Sequence, residues 1–388
     1  MKRATSAFAV LLAVCGSGAH GYGSPPKDDD NPSQVAKKAL DLRPLKGARS
    51  KYGYIDSSGK FVIRPRFLVA NGFREGLALV TVGSTENSRR GYITPDGKFA
   101  IKPRFEAAND FNDGRAAVMI GGAWGFIDRD GRVVVTPEYT RVGMFSDGVA
   151  PVEAANTWGV IDKEGNYVVY PTFATPSTQT EAVQNSADGL MAVTVDGQIG
   201  YIDTKGKFVI NPQFAAAGTF SEGLAAFEDA DKKWGFVGRD GTVVIPASFD
   251  AAGDFHEGLA HVMVGKLYGF IDKAGKVVIM PQFSNARDFS EGLAPVEVGT
   301  RWGYIDTKGA IAIKPQFGAA DPMQPFDPKH SRAQSIAEVE ELGGSPYFKF
   351  KHGTARVPLG GRTAYIDPTG KVIAIEGQWG FAGRRLRN

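Results

Sequence analysis

The sequence predicts an all-β protein built as a tandem array of short antiparallel β-meander units, each about 34 residues long. Two observations lead to this prediction. A glycine-centred phrase, clearest as "RWGYIDTKG" at 301–309, recurs along most of the 388 residues. Between its copies, short runs of β-branched and aromatic residues alternate with glycine- and proline-containing turns, and no sustained 3.6-residue apolar period favours helices.

The glycine of the phrase sets the period of the array. Five of the eight steps between neighbouring copies are 34 or 35 residues. A period held over so many copies is typical of a repeat architecture, in which each unit folds only against its neighbours. The aligned positions are Gly53, Gly91, Gly125, Gly159, Gly200, Gly235, Gly269, Gly303 and, with alanine in place of glycine, Ala364.

Three strands are predicted in the clearest unit, at 293–298, 302–306 and 310–313. A short loop at 299–301 joins the first two strands. Asp306 is expected to accept hydrogen bonds in the next tight turn, and glycine at its end supplies the positive φ that such turns need. Pro315 is expected to stop the third strand, because proline has no N–H to donate to a ladder.

The aromatic-glycine dipeptide in each unit is interpreted as an anchor and its close-packed partner. The indole ring would fill the space between units, and the missing Cβ would let a backbone approach. On these residues the chain resembles the WG-repeat (KWG) proteins of bacteria over about residues 43–381. The resemblance implies an exported binding or scaffold protein with no defined activity. The naming dipeptides begin at Trp124, Trp158, Trp234 and Trp302.

The first residues predict export. Residues 1–21 combine a basic start, a short apolar run and small residues, as a secretory signal peptide does. Residues 22–42 are expected to be a flexible lead. Cys15, the single cysteine, would be discarded with the signal, or, in the alternative reading, carry a lipid anchor. No run is long and apolar enough to predict a transmembrane segment.

The array itself is predicted over residues 43–317 as eight units, and residues 363–388 would hold the last repeat, a partial copy and a basic tail. Closed propellers usually carry about 4–8 blades. Nine or more units therefore favour an open, curved solenoid over a closed propeller-like ring. Residues 318–362 are predicted to be an insertion with a short helix at 333–342 and a strand, serving either as a binding segment or as a cap.

A search for chemistry in the sequence assigns no catalytic, metal-binding or cofactor-binding residue, and the ligand-binding residues stay unknown. The recurring carboxylates are interpreted as turn residues, because the same acid occupies the same turn in every copy. His256 and His261 are interpreted as two surface residues. The formal net charge of +3 gives no reason to expect a nucleic-acid partner.

Two hypotheses of function follow. The first is a non-enzymatic binding or scaffold protein outside the cytoplasm, periplasmic or secreted, whose repeat surface binds a protein or a cell-envelope polymer. The alternative is a cell-envelope polysaccharide-acting enzyme with its site in the 318–362 insertion. The non-repeating polar residues of that insertion are Asp321, Asp327, His330 and Glu338.

Overall fold

The computed structural model describes residues 42–84, 86–174, 182–318, 348–360 and 362–376, and these form nine small antiparallel sheets. Every sheet consists of strands that follow one another along the chain. We number the sheets as blades 1 to 9 in chain order. The predicted all-β repeat of antiparallel units is therefore confirmed.

The first four blades follow the repeat phrase closely. Blade 1 contains β1 (Arg43–Lys46), β2 (Tyr52–Ile55) and β3 (Phe61–Phe67), with a short 3-10 turn at Ala48–Ser50. Blade 2 contains β4 (Val69–Ala70), β5 (Ala78–Gly83), β6 (Ser88–Ile93) and β7 (Phe99–Phe105). Blade 3 contains β8 (Ala107–Ala108), β9 (Ala116–Ile120), β10 (Ala123–Ile127) and β11 (Val133–Tyr139). Blade 4 contains β12 (Arg141–Val142), β13 (Val149–Ala154), β14 (Thr157–Asp162) and β15 (Tyr167–Ala174).

The remaining blades repeat this order. Blade 5 contains β16 (Leu190–Val195), β17 (Gln198–Asp203) and β18 (Phe208–Phe214). Blade 6 contains β19 (Ala216–Ala217), β20 (Leu224–Glu228), β21 (Trp234–Gly238) and β22 (Val243–Phe249). Blade 7 contains β23 (Ala251–Ala252), β24 (Leu259–Val264), β25 (Leu267–Asp272) and β26 (Val277–Phe283). Blade 8 contains β27 (Asn285–Ala286), β28 (Leu293–Val298), β29 (Arg301–Asp306) and β30 (Ile311–Phe317), and blade 9 contains β31 (Ala355–Leu359), β32 (Arg362–Ile366) and β33 (Val372–Ile375).

A complete blade has four strands, which we call a, b, c and d in chain order. Strand a has two residues, strand c carries the repeat glycine, and strand d forms the opposite, more exposed edge. The aromatic residue after the repeat glycine packs against the next blade. The ring of Tyr304 in blade 8, for example, meets the ring of Phe350 in blade 9 edge to face, at 5.0 Å between centroids.

The same contact joins each blade to the one before it. The glycine of the turn between strands c and d lies against strand d of the preceding blade. A methyl group placed on Gly97 in blade 2 would lie 3.3 Å from Cγ2 of Ile63 in blade 1. The corresponding contact joins Gly59 of blade 1 to blade 9, where that methyl group would lie 2.6 Å from the carbonyl oxygen of Ile373.

Further contacts show that blade 9 closes onto blade 1. The Tyr365 hydroxyl donates to the carbonyl oxygen of Pro44 at 2.7 Å, as the Tyr92 hydroxyl does to the carbonyl oxygen of Asn109 at an internal junction, at 2.6 Å. Leu45 and Ile55 of blade 1 share a buried apolar cluster with Tyr365. The chain is therefore a closed nine-bladed propeller-like ring.

The predicted preference for an open solenoid is wrong. It rested on the number of units, but the surfaces of the end blades decide the outcome. The strand β1, which carries no repeat phrase, gives blade 1 the face that every other blade offers to its neighbour. Blade 9 therefore finds on blade 1 the same kind of partner that blade 1 finds on blade 2.

Several predicted segments lie outside the described residues. These are the signal peptide at 1–21, nearly all of the lead at 22–42, the helix at 333–342 and the chain beyond residue 376. Within the predicted insertion, residues 348–360 belong to blade 9, where Phe348 stacks on Trp302 at 4.8 Å between centroids. Across the described ranges, no helix has the length and apolar character that a membrane crossing requires.

Candidate functional site

The repeat glycine lies opposite a bulge in strand d. In blade 8, Trp302 pairs with Phe317, but Tyr304 pairs with Ile313, so three residues of strand d face one residue of strand c. A methyl group on Gly303 would lie 2.6 Å from the carbonyl oxygen of Ile313 and 2.7 Å from the nitrogen of Pro315. Both atoms are backbone atoms, so glycine is needed for this bulge to form.

The bulge projects one side chain per blade outward, because bulges change the direction in which side chains point. The residue before it is a buried or half-buried isoleucine or valine, whereas the projecting residue is exposed. Its chemistry differs from blade to blade. We call these eight residues the rim positions: Arg64, Lys102, Thr136, Tyr170, Asn211, Pro246, Met280 and Lys314.

The tryptophan rings, in contrast, are used inside the ring. Trp158 is 0% exposed, Trp234 is 2% exposed and Trp302 is 7% exposed. The guanidinium of Arg141 lies 5.2 Å from the centroid of the Trp158 ring and covers it. The predicted role of these three tryptophans as buried anchors is confirmed, and their faces are not presented to a sugar ligand.

The recurring aspartates are turn residues, as predicted. The Oδ1 atom of Asp306 accepts hydrogen bonds from the backbone N–H groups of Lys308 and Ala310, each at 2.9 Å. The recurring acid before glycine has a further role that the sequence did not indicate. Glu257 accepts from the backbone N–H of Gly292 at 2.9 Å and so joins blade 7 to blade 8. The repeated carboxylates therefore hold turns and blade junctions.

One cluster of polar residues differs from all other junctions. Asp288 of blade 8 lies between two histidines of blade 7, with its carboxylate oxygens 3.3 Å from His256 Nε2 and 3.1 Å from His261 Nδ1. His261 is 3% exposed, so the interpretation of both histidines as surface residues is wrong for His261. Sequence spacing could not reveal the cluster, because its third member belongs to the next blade.

The electrostatics of this cluster favour a charged pair. Burial favours the neutral form of Asp288, but hydrogen bonds from His256 and His261 outweigh it and hold the pKa of Asp288 well below its usual range. The hydrogen bond to Asp288 raises the pKa of His256 against the opposing effect of partial burial. Lys349 opposes this rise and Asp254 supports it. Among the described residues, no group of three or more His, Cys, Asp or Glu could hold a metal ion.

We expect replacement of His256 by serine, the residue at this position in blades 6 and 8, to reduce stability by about 0.5–1 kcal/mol in a pH-dependent way. Because the folded-state pKa of His256 is raised, its contribution is fully present below the unfolded pKa of about 6.5. It is lost as the pH rises through the folded-state pKa. Urea unfolding of both proteins at pH 5.5 and pH 8.5 measures the effect. An equal loss at both pH values would contradict this role.

The polar residues of the alternative enzyme hypothesis, Asp321, Asp327, His330 and Glu338, lie outside the described residues, as does Cys15. His352 is described, and it occupies the turn position in blade 9 that Glu291 occupies in blade 8. Its backbone N–H donates to the Glu291 carboxylate. His352 is therefore part of a blade junction.

Comparison with known families agrees with this repeat. The family model described as "WG containing repeat" matches eight segments that together cover more than half of the chain. No curated protein matches the chain. The matched segments are residues 52–85, 91–122, 124–156, 158–174, 199–232, 234–268, 268–299 and 302–324.

Solved structures are similar at low identity. A computationally designed protein, Ika8, is 13% identical with a TM-score of 0.40, over 70% of this chain and 92% of its own. BamB from Moraxella catarrhalis is 11% identical with a TM-score of 0.40, over the same two shares. A eukaryotic initiation factor is 12% identical with a TM-score of 0.49, over 77% of this chain and 84% of its own. Likeness at this level carries no argument about function.

Proposed function

The chain belongs to the WG containing repeat family, and from this premise we propose that it is a non-enzymatic, extracytoplasmic binding or scaffold protein. Its ligand contacts would lie on the rim positions of the ring. The partner would be a protein or a cell-envelope polymer. Export is proposed from the sequence of residues 1–21, which resembles a secretory signal peptide.

One observation carries the binding role. The residues that build each bulge are nearly the same in every blade, whereas the residue that the bulge projects is different. Tyr170 is 72% exposed and Met280 is 68% exposed, and the charged Arg64 and Lys102 project from the same register. A fixed scaffold that displays varied, exposed side chains at regular intervals suits recognition through many small contacts.

The repeated polar groups support a non-enzymatic role. A hydrolase acting on polysaccharide needs two carboxylates of unlike environment facing one cleft. The recurring carboxylates described above accept backbone hydrogen bonds at turns and junctions instead, as Asp306 and Glu257 do. Their use is explained by the ring itself.

The test replaces the rim positions by asparagine, the residue that blade 5 already carries there as Asn211. The bait is residues 22–388, and binding is measured to purified envelope polymer and, by crosslinking, to the envelope proteins of the host. We expect the rim variant to lose most of its capture, because its projecting contacts are gone. Its melting temperature should change little, since all seven substituted side chains are exposed.

A second bait separates the rim from the predicted insertion. In it a glycine-serine linker replaces residues 319–347, so that the described part of blade 9 is kept. Capture that survives in the rim variant but is lost in this bait would move the binding surface to the insertion and contradict a rim role. Recovery of the protein from its host with residues 1–21 still attached would contradict export.

A further inference from the structure

The closed ring separates charge that the overall composition hides. Blades 1 and 2, at residues 42–105, hold 13 Lys and Arg against 4 Asp and Glu. Blade 9, at 348–376, holds 5 against 2. The described residues of blades 3 to 8, at 106–174 and 182–318, hold 17 against 26. Closure makes blades 9, 1 and 2 neighbours, so one third of the ring carries a net charge of +12 and the rest −9.

The basic side chains of this arc lie together along the outer edge. Arg64 and Lys102 are the exposed rim residues of blades 1 and 2. Lys60, Lys98 and Lys371 are exposed at the end of the turn between strands c and d in blades 1, 2 and 9. We call these five residues the basic belt.

The belt is continuous because the turn of each blade packs on strand d of the one before. Gly97, next to Lys98, lies against Ile63, next to Arg64. The guanidinium of Arg66 donates to the carbonyl oxygen of Gly97 across this junction. One belt residue has an acidic partner nearby, since Lys98 Nζ lies 2.8 Å from Asp96 Oδ2, but the lysine side chain is 86% exposed.

We propose that the arc of blades 9, 1 and 2 binds a linear polyanion, a flexible polymer that carries phosphate or carboxylate groups at regular intervals. This rests on the proposed binding function and names the class of its ligand. The repeat places basic groups at recurring positions along a convex edge, which a flexible charged chain can follow. A flat anionic membrane would meet fewer of them at once. The acidic blades repel the polymer elsewhere and so direct it to the arc.

The structure supplies a matched pair of variants. Lys60 and Lys98 occupy the same turn position as Lys207 and Lys276 in blades 5 and 7, which are equally exposed but lie in the acidic arc. Blade 6 carries Thr242 at this position. The variants K60T/K98T and K207T/K276T therefore remove the same charge by the same substitution. Adding R64N/K102N to the first variant removes the rim charges of the arc.

Binding of residues 22–388 to long-chain polyphosphate and to polygalacturonate is measured by fluorescence anisotropy between 50 and 300 mM NaCl. For K60T/K98T we expect a loss of affinity of about tenfold at 50 mM, and a salt slope lower by roughly 0.7 per contact removed. K207T/K276T should bind within about twofold of the unchanged protein, because its lysines lie outside the arc. The arm that binds more tightly shows whether phosphate or carboxylate is preferred. The basic chain end at 383–388 is present in all variants and cancels.

Three outcomes would overturn the proposal. One is an equal loss in both lysine variants, which would place no ligand at the arc. Another is tighter binding to phosphatidylglycerol vesicles than to either polymer, which would favour a membrane surface. The third is absence of polyanion binding by the unchanged protein. If the rim-dependent capture described above persists in that case, the binding function stands and the polyanion is wrong; if both fail, the binding function fails as well.

Discussion

Replacing Gly303 by alanine is expected to destabilise the protein by about 2–3 kcal/mol, because the added methyl group overlaps a neighbouring strand. That group would lie 2.6 Å from the carbonyl oxygen of Ile313 and 2.7 Å from the nitrogen of Pro315. No rotation of a side chain can relieve these contacts, since both partners are backbone atoms. Strand d would have to move away, and its bulge would be lost or displaced.

Thermal and urea unfolding measure this cost, and Gly72 provides the control. A methyl group on Gly72 would meet no atom within 4 Å, and its backbone does not need a positive φ. Gly72→Ala should therefore be neutral or stabilise by about 0.4–1 kcal/mol through the unfolded chain. If Gly303→Ala were as well tolerated as Gly72→Ala, the repeat glycine would not be the residue that permits the bulge.

The ninth blade already shows what accompanies alanine at this position. Ala364 pairs directly with Ile375, and the next pair, Tyr365 with Ala374, follows without a shift. The strand β33 contains no proline and lacks the wide bulge seen in blade 8. Within one chain, glycine therefore occurs with the bulge and alanine occurs without it. This links the repeat phrase to the projecting rim residues.

Much of the local structure could be predicted from the sequence, because short-range chemistry determines it. The strands predicted at 293–298 and 302–306 appear as Leu293–Val298 and Arg301–Asp306. The third was predicted to stop at Pro315 but runs from Ile311 to Phe317. Strand d is an edge strand, and proline is tolerated there because its missing N–H would face away from the sheet.

The features that the sequence did not reveal all depend on contacts between blades. Asp288 meets His261 across a junction, and no spacing within one repeat predicts that pair. The two-residue strand a is too short for any periodic pattern. The separation of charge was invisible because Lys371 and Lys60 are far apart in sequence and become neighbours through ring closure. Only through-space adjacency supplies this information.

Replacing Tyr365 by alanine is expected to cost about 3–5 kcal/mol, as for other buried aromatic residues. Tyr365 is 3% exposed, and it packs against Leu45 and Ile55, more than 300 residues earlier in the chain. Tyr92, 0% exposed, makes the corresponding contacts at an internal junction. Urea unfolding of Tyr365→Ala and Tyr92→Ala should therefore give similar losses. In an open array Tyr365 would face solvent, and its replacement would cost much less.

A double-mutant cycle between Leu45 and Tyr365 tests closure independently of the size of either effect. Residues that share a buried cluster show coupling energies of about 0.5–3 kcal/mol, whereas distant residues are additive within about 0.5 kcal/mol. We therefore expect Leu45→Ala and Tyr365→Ala together to cost less than the sum of the two single losses, because the second truncation removes contacts that the first has already broken. Additive losses would show that blades 1 and 9 do not touch in solution. Without that contact, blades 9, 1 and 2 would not form one basic arc, so the polyanion surface depends on the same junction.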